Sequence, residues 1–362
     1  MIKKVAVIFG GRSCEHEISI ITALQVMNAL KEKYHIIPIY ISKNGEFYSD
    51  AKYMNIAMYQ KDPDFLKKKD RVYLNREDQE VYCVKNWFKK EVIDFVIPVL
   101  HGTNGEDGAI QGFLEILNVP YCGCSHLSAA LAQSKTMSKK IMEYHHLSTL
   151  PYKKVTSIET EIPFLPCIIK PDRLGSSIGI GIVDNENEWQ KKVGEALLYD
   201  DVCLVEPYIK DFREINASFM RVNDEIQYSH LEEVLKEDEI LSFKDKYSSK
   251  GTKESAKRIL NPQINEKIAQ TIIELGKKAY ACFEFDGVVR IDFMVIDEKV
   301  YVNEINTIPG SYAHYLWKEK GMLLLLEECM QEGMKRYRKK ITKISSFDSD
   351  VLFHYKKGKK LK

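Results

Sequence analysis

Two segments near the end of the chain, Gly287-Val-Val-Arg290-Ile-Asp292-Phe-Met and Val302-Asn-Glu304-Ile-Asn306-Thr-Ile-Pro-Gly310, alternate β-branched and aromatic residues with polar ones. Each reads as a β-strand, because such side chains suit a pleated, half-buried surface. Arg290 and Asp292 then share one face, and so do Glu304 and Asn306. Paired, the strands gather an arginine, two carboxylates and an amide on one surface. A single charged strand face is ordinarily just solvated. Two matched faces, the second leading into Asn306-Thr-Ile-Pro-Gly310, predict hard oxygen ligands for Mg²⁺ beside phosphates, with an arginine for a phosphoryl group.

The remaining chain offers such a site a scaffold. From residue 5 to 117 strands and helices alternate: strands at Val5–Phe9, His35–Ile41 and Val92–Leu100, helices at Ile18–Lys31 and Asp107–Leu117. This rhythm predicts an α/β fold whose N-terminal domain is Rossmann-like, with a parallel sheet and functional groups at the carboxyl ends of its strands. Two polar turns fall there, Gly10 to Glu17 with Glu15, and His101 to Gly108. Domains are expected at 1–122, 123–210 and 211–345, with a basic tail at 346–362 that reads as a frayed, solvated terminus. Further strands are expected at Cys167–Lys170, Ile178–Val183, Val202–Pro207, Glu214–Met220 and Glu225–Glu233, and further helices at Ser125–Ala132, Ser134–Tyr144, 187–198 and Ile264–Ala281.

Composition removes several function classes. A net charge of +1 over 362 residues offers no field for nucleic acid or an anionic membrane. Eight cysteines lie scattered without a CxxC pair, which reads as reduced thiols in a cytoplasmic protein. No run approaches eighteen apolar residues, so no membrane span is expected.

Three other stretches carry chemistry. In Ile169-Lys170-Pro171-Asp-Arg-Leu-Gly175-Ser176-Ser177-Ile-Gly179 a lysine ends a strand and a glycine-serine loop follows, so that backbone N–H groups can approach phosphate oxygens. A plain hairpin turn would look similar, and the lysine precedes the loop, unlike a Walker A motif. Lys135 opens a helix and can be another phosphate ligand, or merely an exposed lysine. The connector Glu206-Pro207-Tyr208-Ile209 offers backbone groups to an adenine edge, and Glu214 a carboxylate to a ribose. The polar run 236–257 reads as an active-site lid or a plain loop, with Lys246 and Tyr247 as its candidate substrate-facing pair.

Taken together, these residues resemble the D-alanine–D-alanine ligase family of the ATP-grasp superfamily over about residues 3 to 330. The marks are Gly-Gly-Arg-Ser-Cys-Glu-His-Glu-Ile-Ser, His-Gly-Thr-Asn-Gly-Glu-Asp-Gly-Ala-Ile-Gln-Gly, Lys-Pro-Asp-Arg-Leu-Gly-Ser-Ser-Ile-Gly and Asn-Glu-Ile-Asn-Thr-Ile-Pro-Gly, in that order. The resemblance implies an ATP-grasp fold and an ATP-dependent ligase that joins two D-amino acids for peptidoglycan precursors. By the same resemblance Lys135 and Lys170 hold ATP phosphates and Ser176 and Ser177 cover them. Glu206 with Pro207, Tyr208 and Ile209 meets adenine, and Glu214 the ribose. Asp292, Glu304 and Asn306 bind two Mg²⁺, with Mn²⁺ as a substitute. Arg290 and the Gly310 amide stabilise the phosphorylated intermediate. Glu15 grips the first substrate's ammonium, linked to Ser176 and Tyr247; His101 lies by that substrate and Lys246 near the second. A homodimer is implied, with D-alanine and a second D-amino or hydroxy acid as partners.

Three positions depart from the family pattern. Tyr315-Leu316 stands where a serine–leucine pair binds the second substrate's carboxylate, Leu174 where an acidic residue is common, and Ser134 where aspartate is usual. They open D-alanine–D-serine and D-alanine–D-lactate synthesis as alternatives, and the altered acceptor segment opens, in another class, a nucleotide-binding regulator with a decayed site. Retention of Lys170, Arg290, Asp292, Glu304 and Asn306 argues against that last reading.

Overall fold

Strand β1 (Lys4–Gly10) is apolar from Val5 to Phe9, and those five side chains are wholly buried, as a strand covered on both faces requires. The helix that follows, α1 (His16–Leu30), starts two residues before its expected position and packs along β1. Next come β2 (His35–Ile41) and the short β3 (Phe47–Tyr48). Two strands that the sequence reading left unassigned, β4 (Val72–Glu77) and β5 (Glu80–Lys85), form an antiparallel sheet with β6 (Lys89–Ile93). β7 (Phe95–Val99) returns to β1, giving a sheet of order β3-β2-β1-β7 in which β1 pairs in parallel with both β2 and β7. These descriptions come from a computed structural model, which describes residues 2–61, 66–85, 89–235 and 257–354.

The expected strand Val92–Leu100 is thus two strands. Asp94 interrupts it: its carboxylate accepts the N–H groups of Lys3 at 2.7 Å and Lys4 at 2.8 Å, so the chain turns from one sheet into the other. Helix α2 (Ala109–Leu117) follows β7.

Helices α3 (His126–Gln133) and α4 (Lys135–Tyr144) lead into an antiparallel sheet of order β10-β9-β11-β8, made of β8 (Lys153–Val155), β9 (Cys167–Pro171), β10 (Gly181–Val183) and β11 (Cys203–Pro207). Helix α5 (Trp189–Leu197) covers it. β10 is shorter than expected because Gly179, inside the expected range, has a left-handed φ of 71°, which no strand accommodates.

The last sheet has the order β15-β14-β12-β16-β17, with β13 also on β12, and is antiparallel throughout. Its strands are β12 (Arg213–Val222), β13 (Glu225–Tyr228), β14 (Glu232–Val234), β15 (Arg258–Leu260), β16 (Val289–Ile296) and β17 (Lys299–Asn306). The single strand expected over Glu225–Glu233 is divided at Ser229-His230. Helix α6 (Glu266–Cys282) lies on this sheet with Gly276 against Phe219. A Cβ at Gly276 would stand 2.0 Å from Cζ of that fully buried ring. Alanine favours a helix by about 1 kcal/mol over glycine, but overpacking a rigid core opposes it. Gly276→Ala is therefore expected to destabilise the protein by about 1–3 kcal/mol, read as a lower denaturation midpoint; a raised midpoint would contradict this packing.

The chain then folds back. Helix α7 (Gly321–Ile341) adds Leu325, Leu326, Cys329 and Met330 to the core built by β1, β7 and α1. The Arg336 guanidinium donates to the Tyr121 carbonyl and to Asp286, both at 3.0 Å. Residues 342–353, beyond α7, are exposed, and 355–362 of the expected tail lie outside the described residues. No described helix is long and apolar enough to cross a membrane.

Candidate active site

The two strands that opened the sequence reading are β16 and β17, and they pair: Arg290 stands opposite Asn306 and Asp292 opposite Glu304. All four side chains face a cleft of about 610 Å³. Arg290 holds Asp292 through two bonds, Nε–Oδ1 at 2.7 Å and Nη2–Oδ2 at 2.9 Å, and Asn306 Nδ2 donates to Asp292 Oδ2 at 3.1 Å. Glu304 pairs with Lys135 at 3.1 Å. Burial pushes the Glu304 carboxyl up, and the charges of Lys135, Lys170 and Arg290 outweigh that and hold it below the usual range. Among the described residues no cluster of three or more His, Cys, Asp or Glu side chains could hold a metal by itself. Two carboxylates and an amide oxygen are instead the kind of incomplete hard-donor set that Mg²⁺ takes up together with substrate phosphates.

The register slips between Asp292 and Phe293, which leaves Asn303 as an extra residue on β17. Such a bulge re-aims a side chain, and here Asn303 Oδ1 accepts from Lys170 Nζ at 3.3 Å. Lys170, near the end of β9, also donates to Glu206 at 2.7 Å. Glu206 lines the cleft with Lys170, and its 1% exposed side chain is shared between Lys170 and Lys139. Burial alone would raise its carboxyl; the two ammonium groups overcome this and bring it to about 2. Burial also pulls both lysines down. At Lys139, the more deeply enclosed, it prevails over Glu206, whereas Lys170 on the cleft wall ends above its usual value. Lys170 is raised further by the charges of Glu304 and Glu214, while Lys139 has the charge of Lys170 against it. Lys139 was missed; the available signal was its spacing of four from Lys135 on one helix face.

Pro207, Tyr208, Ile209 and Glu214 line the same cleft. The Tyr208 N–H donates to the Pro166 carbonyl at 3.0 Å, so that group is occupied. Lys135 begins α4, and its ammonium donates to the Leu174 carbonyl as well as pairing with Glu304. Ser134 caps that helix, accepting from Met137 N at 3.2 Å, and donates to Asp172 at 2.5 Å. Asp172 also accepts from Thr136 N at 2.7 Å. The carboxylate absent at position 134 is therefore supplied from the end of β9, where it complements the helix N-terminus.

Ser176 and Ser177 form the left-handed turn above this floor, and Ser176 Oγ donates to Glu15. Glu15 in turn lies under Gly102, whose φ is 68° and whose absent Cβ would stand 2.7 Å from Glu15 Oε2. Only glycine lets the loop after β7 pass so near that carboxylate. Two neighbours close the wall. His101 Nε2 contacts Thr22 Oγ1 at 3.0 Å, and burial takes its imidazole down to about 4, so it is neutral at physiological pH. Glu106, which sequence reasoning did not single out, accepts from Gly102 N at 2.9 Å and Ile308 N at 3.2 Å. Burial and then the charge of Glu15 push its carboxyl up to about 8 against those two N–H groups.

After β17 the chain enters the turn Gly310–Leu316, at whose start a backbone N–H lacks an intrahelical partner. Ser311, Tyr312 and Ala313 have φ of 54°, 51° and 49°. Three consecutive left-handed non-glycine residues cost about 1–2 kcal/mol each. The surroundings impose them: Ser311 N donates to Thr22 at 3.1 Å, Tyr312 OH to the Pro98 carbonyl at 2.8 Å, and Ala313 is wholly buried. This turn directs Tyr315 into the cleft. Leu316 does not follow it. It is fully buried in the core with Trp317 and Leu325, a correction to its expected place beside the substrate. Lys246, Tyr247 and the lid expected at 236–257 lie outside the described residues, apart from Lys257.

Comparison with known proteins bears on this arrangement. Residues 4–124 match the family model of the D-Ala–D-Ala ligase N-terminus, and residues 135–326 that of the C-terminus. A D-alanine–D-alanine ligase of Thermosipho melanesiensis is 38% identical over 359 residues, covering 96% of this chain and 98% of that protein. Among solved structures, the D-alanine–D-alanine ligase of Coxiella burnetii aligns with a TM-score of 0.79 at 27% identity, over 94% of this chain and 96% of that one. The VanG D-Ala:D-Ser ligase of Enterococcus faecalis aligns with a TM-score of 0.78 at 27% identity, over 92% of this chain and 100% of that one.

Proposed function

The chain belongs to the D-alanine–D-alanine ligase family, with its ATP-grasp fold, and from that premise we propose that it uses ATP to activate the carboxylate of one D-alanine and joins it to a second. One observation carries the reading. Lys135, Lys170, Arg290, Asp292, Glu304 and Asn306 converge on one cleft with the Glu15–Ser176 pair at its other wall.

A carboxylate is a poor electrophile, and bringing it to ATP sets like charges together. Each unit pair at 4 Å opposes this by about 4 kcal/mol at an effective dielectric near 20. Lys135, Lys170 and Arg290 offset that repulsion from fixed positions. Asp292, Glu304 and Asn306 would hold Mg²⁺, which would supply the remaining neutralisation and polarise the phosphoryl oxygens. Glu15 holds the donor's ammonium, so the donor carboxylate points towards the phosphate. Its oxygen attacks the γ-phosphorus and ADP leaves, giving an acyl phosphate. The acceptor's amine then attacks the carbonyl carbon and inorganic phosphate leaves, with Arg290 and the Gly310 N–H against the developing charge. Residues 123–210 and 211–345 clamp the nucleotide in this reading, and 1–122 supply the donor site. A cytoplasmic homodimer is part of it; the eight cysteines, none in a disulfide, support a reducing compartment.

The test gives the purified protein ATP, Mg²⁺ and D-alanine, alone and with D-serine or D-lactate. Phosphate release is followed together with the mass of the product. D-alanyl-D-alanine is expected from D-alanine alone. Product formed only when D-serine or D-lactate is added would assign the alternative acceptor, and ATP binding without turnover across the panel would overturn the ligase reading.

A further inference from the structure

Arg258 is absent from every motif discussed so far, yet it lines the cleft beside Tyr315. β15 carries it opposite Val234 of β14. Its Nη1 donates to the Tyr315 hydroxyl at 3.1 Å and reaches Glu232 only at 3.4 Å, and the guanidinium lies 5.7 Å from the Tyr315 ring centroid. Arg290 interacts with Tyr315 as well, while its own fork is committed to Asp292. Two guanidinium groups therefore stand near one another around one phenol oxygen. Nε and Nη2 of Arg258 make no hydrogen bond among the described residues, and its side chain is half exposed towards the cleft. An arginine whose planar fork is open, against a neighbouring like charge, is arranged for a carboxylate.

We propose that Arg258 and Tyr315 together grip the carboxylate of the acceptor, replacing the serine that Tyr315 displaces. The guanidinium fork takes the two oxygens, and the phenol, which accepts from Arg258, donates its own proton to one of them. The acceptor class is thereby a small α-substituted carboxylic acid with its carboxylate free. This inference rests on the ligase reading.

The experiment measures steady-state dipeptide synthesis by the wild type, Arg258→Ala and Arg258→Lys, with D-alanine and with D-alaninamide as acceptor. Arg258→Ala is expected to raise the acceptor KM by about ten- to a hundredfold, to leave the donor and ATP KM within about twofold, and to erase the preference for D-alanine over its amide. Arg258→Lys is expected to restore part of that preference, because a point charge keeps attraction without the fork. Calorimetric binding of an ATP analogue, expected to be unchanged, reports that the variants fold. Equal acceptor KM and equal preference in wild type and Arg258→Ala would overturn this inference alone. No dipeptide from the wild type would overturn the ligase reading and this inference with it.

Discussion

Glu304→Gln is expected to lower phosphate release by about a hundred- to a thousandfold. The substitution keeps the shape of the side chain and removes its charge. Glu304 stands opposite Asp292 across two strands and pairs with Lys135 at 3.1 Å. Glutamine weakens the hold on a divalent cation and leaves Lys135 without its countercharge on the floor of the cleft. The Mg²⁺ concentration for half-maximal rate should rise, and excess Mg²⁺ should recover part of the lost rate. Neither effect requires unfolding, since Glu304 lies on the cleft face of β17, so the melting curve should move little. Phosphate release by the variant at the wild-type rate and the wild-type Mg²⁺ dependence would contradict the assigned site.

That prediction rests on a part of the molecule that was legible before any coordinates. The period of two over 289–294 and 302–306 marks which residues share a face, and the register of the two strands then sets Asp292 opposite Glu304. The slip at Asn303 was not legible, because a bulge adds one residue without changing composition. Lys139 was hidden for a different reason. A lysine in a helix reads as solvent-facing, and only the approach of β11, carrying Glu206, turns it into a buried cation. Ser134 likewise stood only as a departure from the family pattern; the carboxylate comes from Asp172 at the end of β9, 38 residues away. The β4–β5 hairpin escaped notice although it turns on Asp78 and Gln79, both with positive φ, since neither is the glycine or asparagine that usually marks such a turn. For Lys139 and Ser134 local pattern named the helix, and long-range contact decided the role.

The ion triad around Glu206 carries the largest expected effect on stability. Removing one partner from a buried ion pair leaves charge without compensation, at about 3–5 kcal/mol. Glu206→Ala would leave two such cations, Lys139 with a 2% exposed side chain and Lys170 with 14%. The variant should therefore lose at least that much in denaturant unfolding. Adding Lys139→Met should recover part of the loss, because an apolar side chain of similar length fills the same space without a charge to compensate. The triad also sets an acid limit. The Glu206 carboxyl is at about 2 in the folded protein against an ordinary 4.5. Its stabilising contribution is complete above the ordinary value and disappears as pH falls from about 4.5 towards about 2. Wild type should lose stability across that window more steeply than Glu206→Ala does. Parallel pH profiles for the two proteins, or an unfolding free energy unchanged by the substitution, would show that the three charges are not coupled in the folded state.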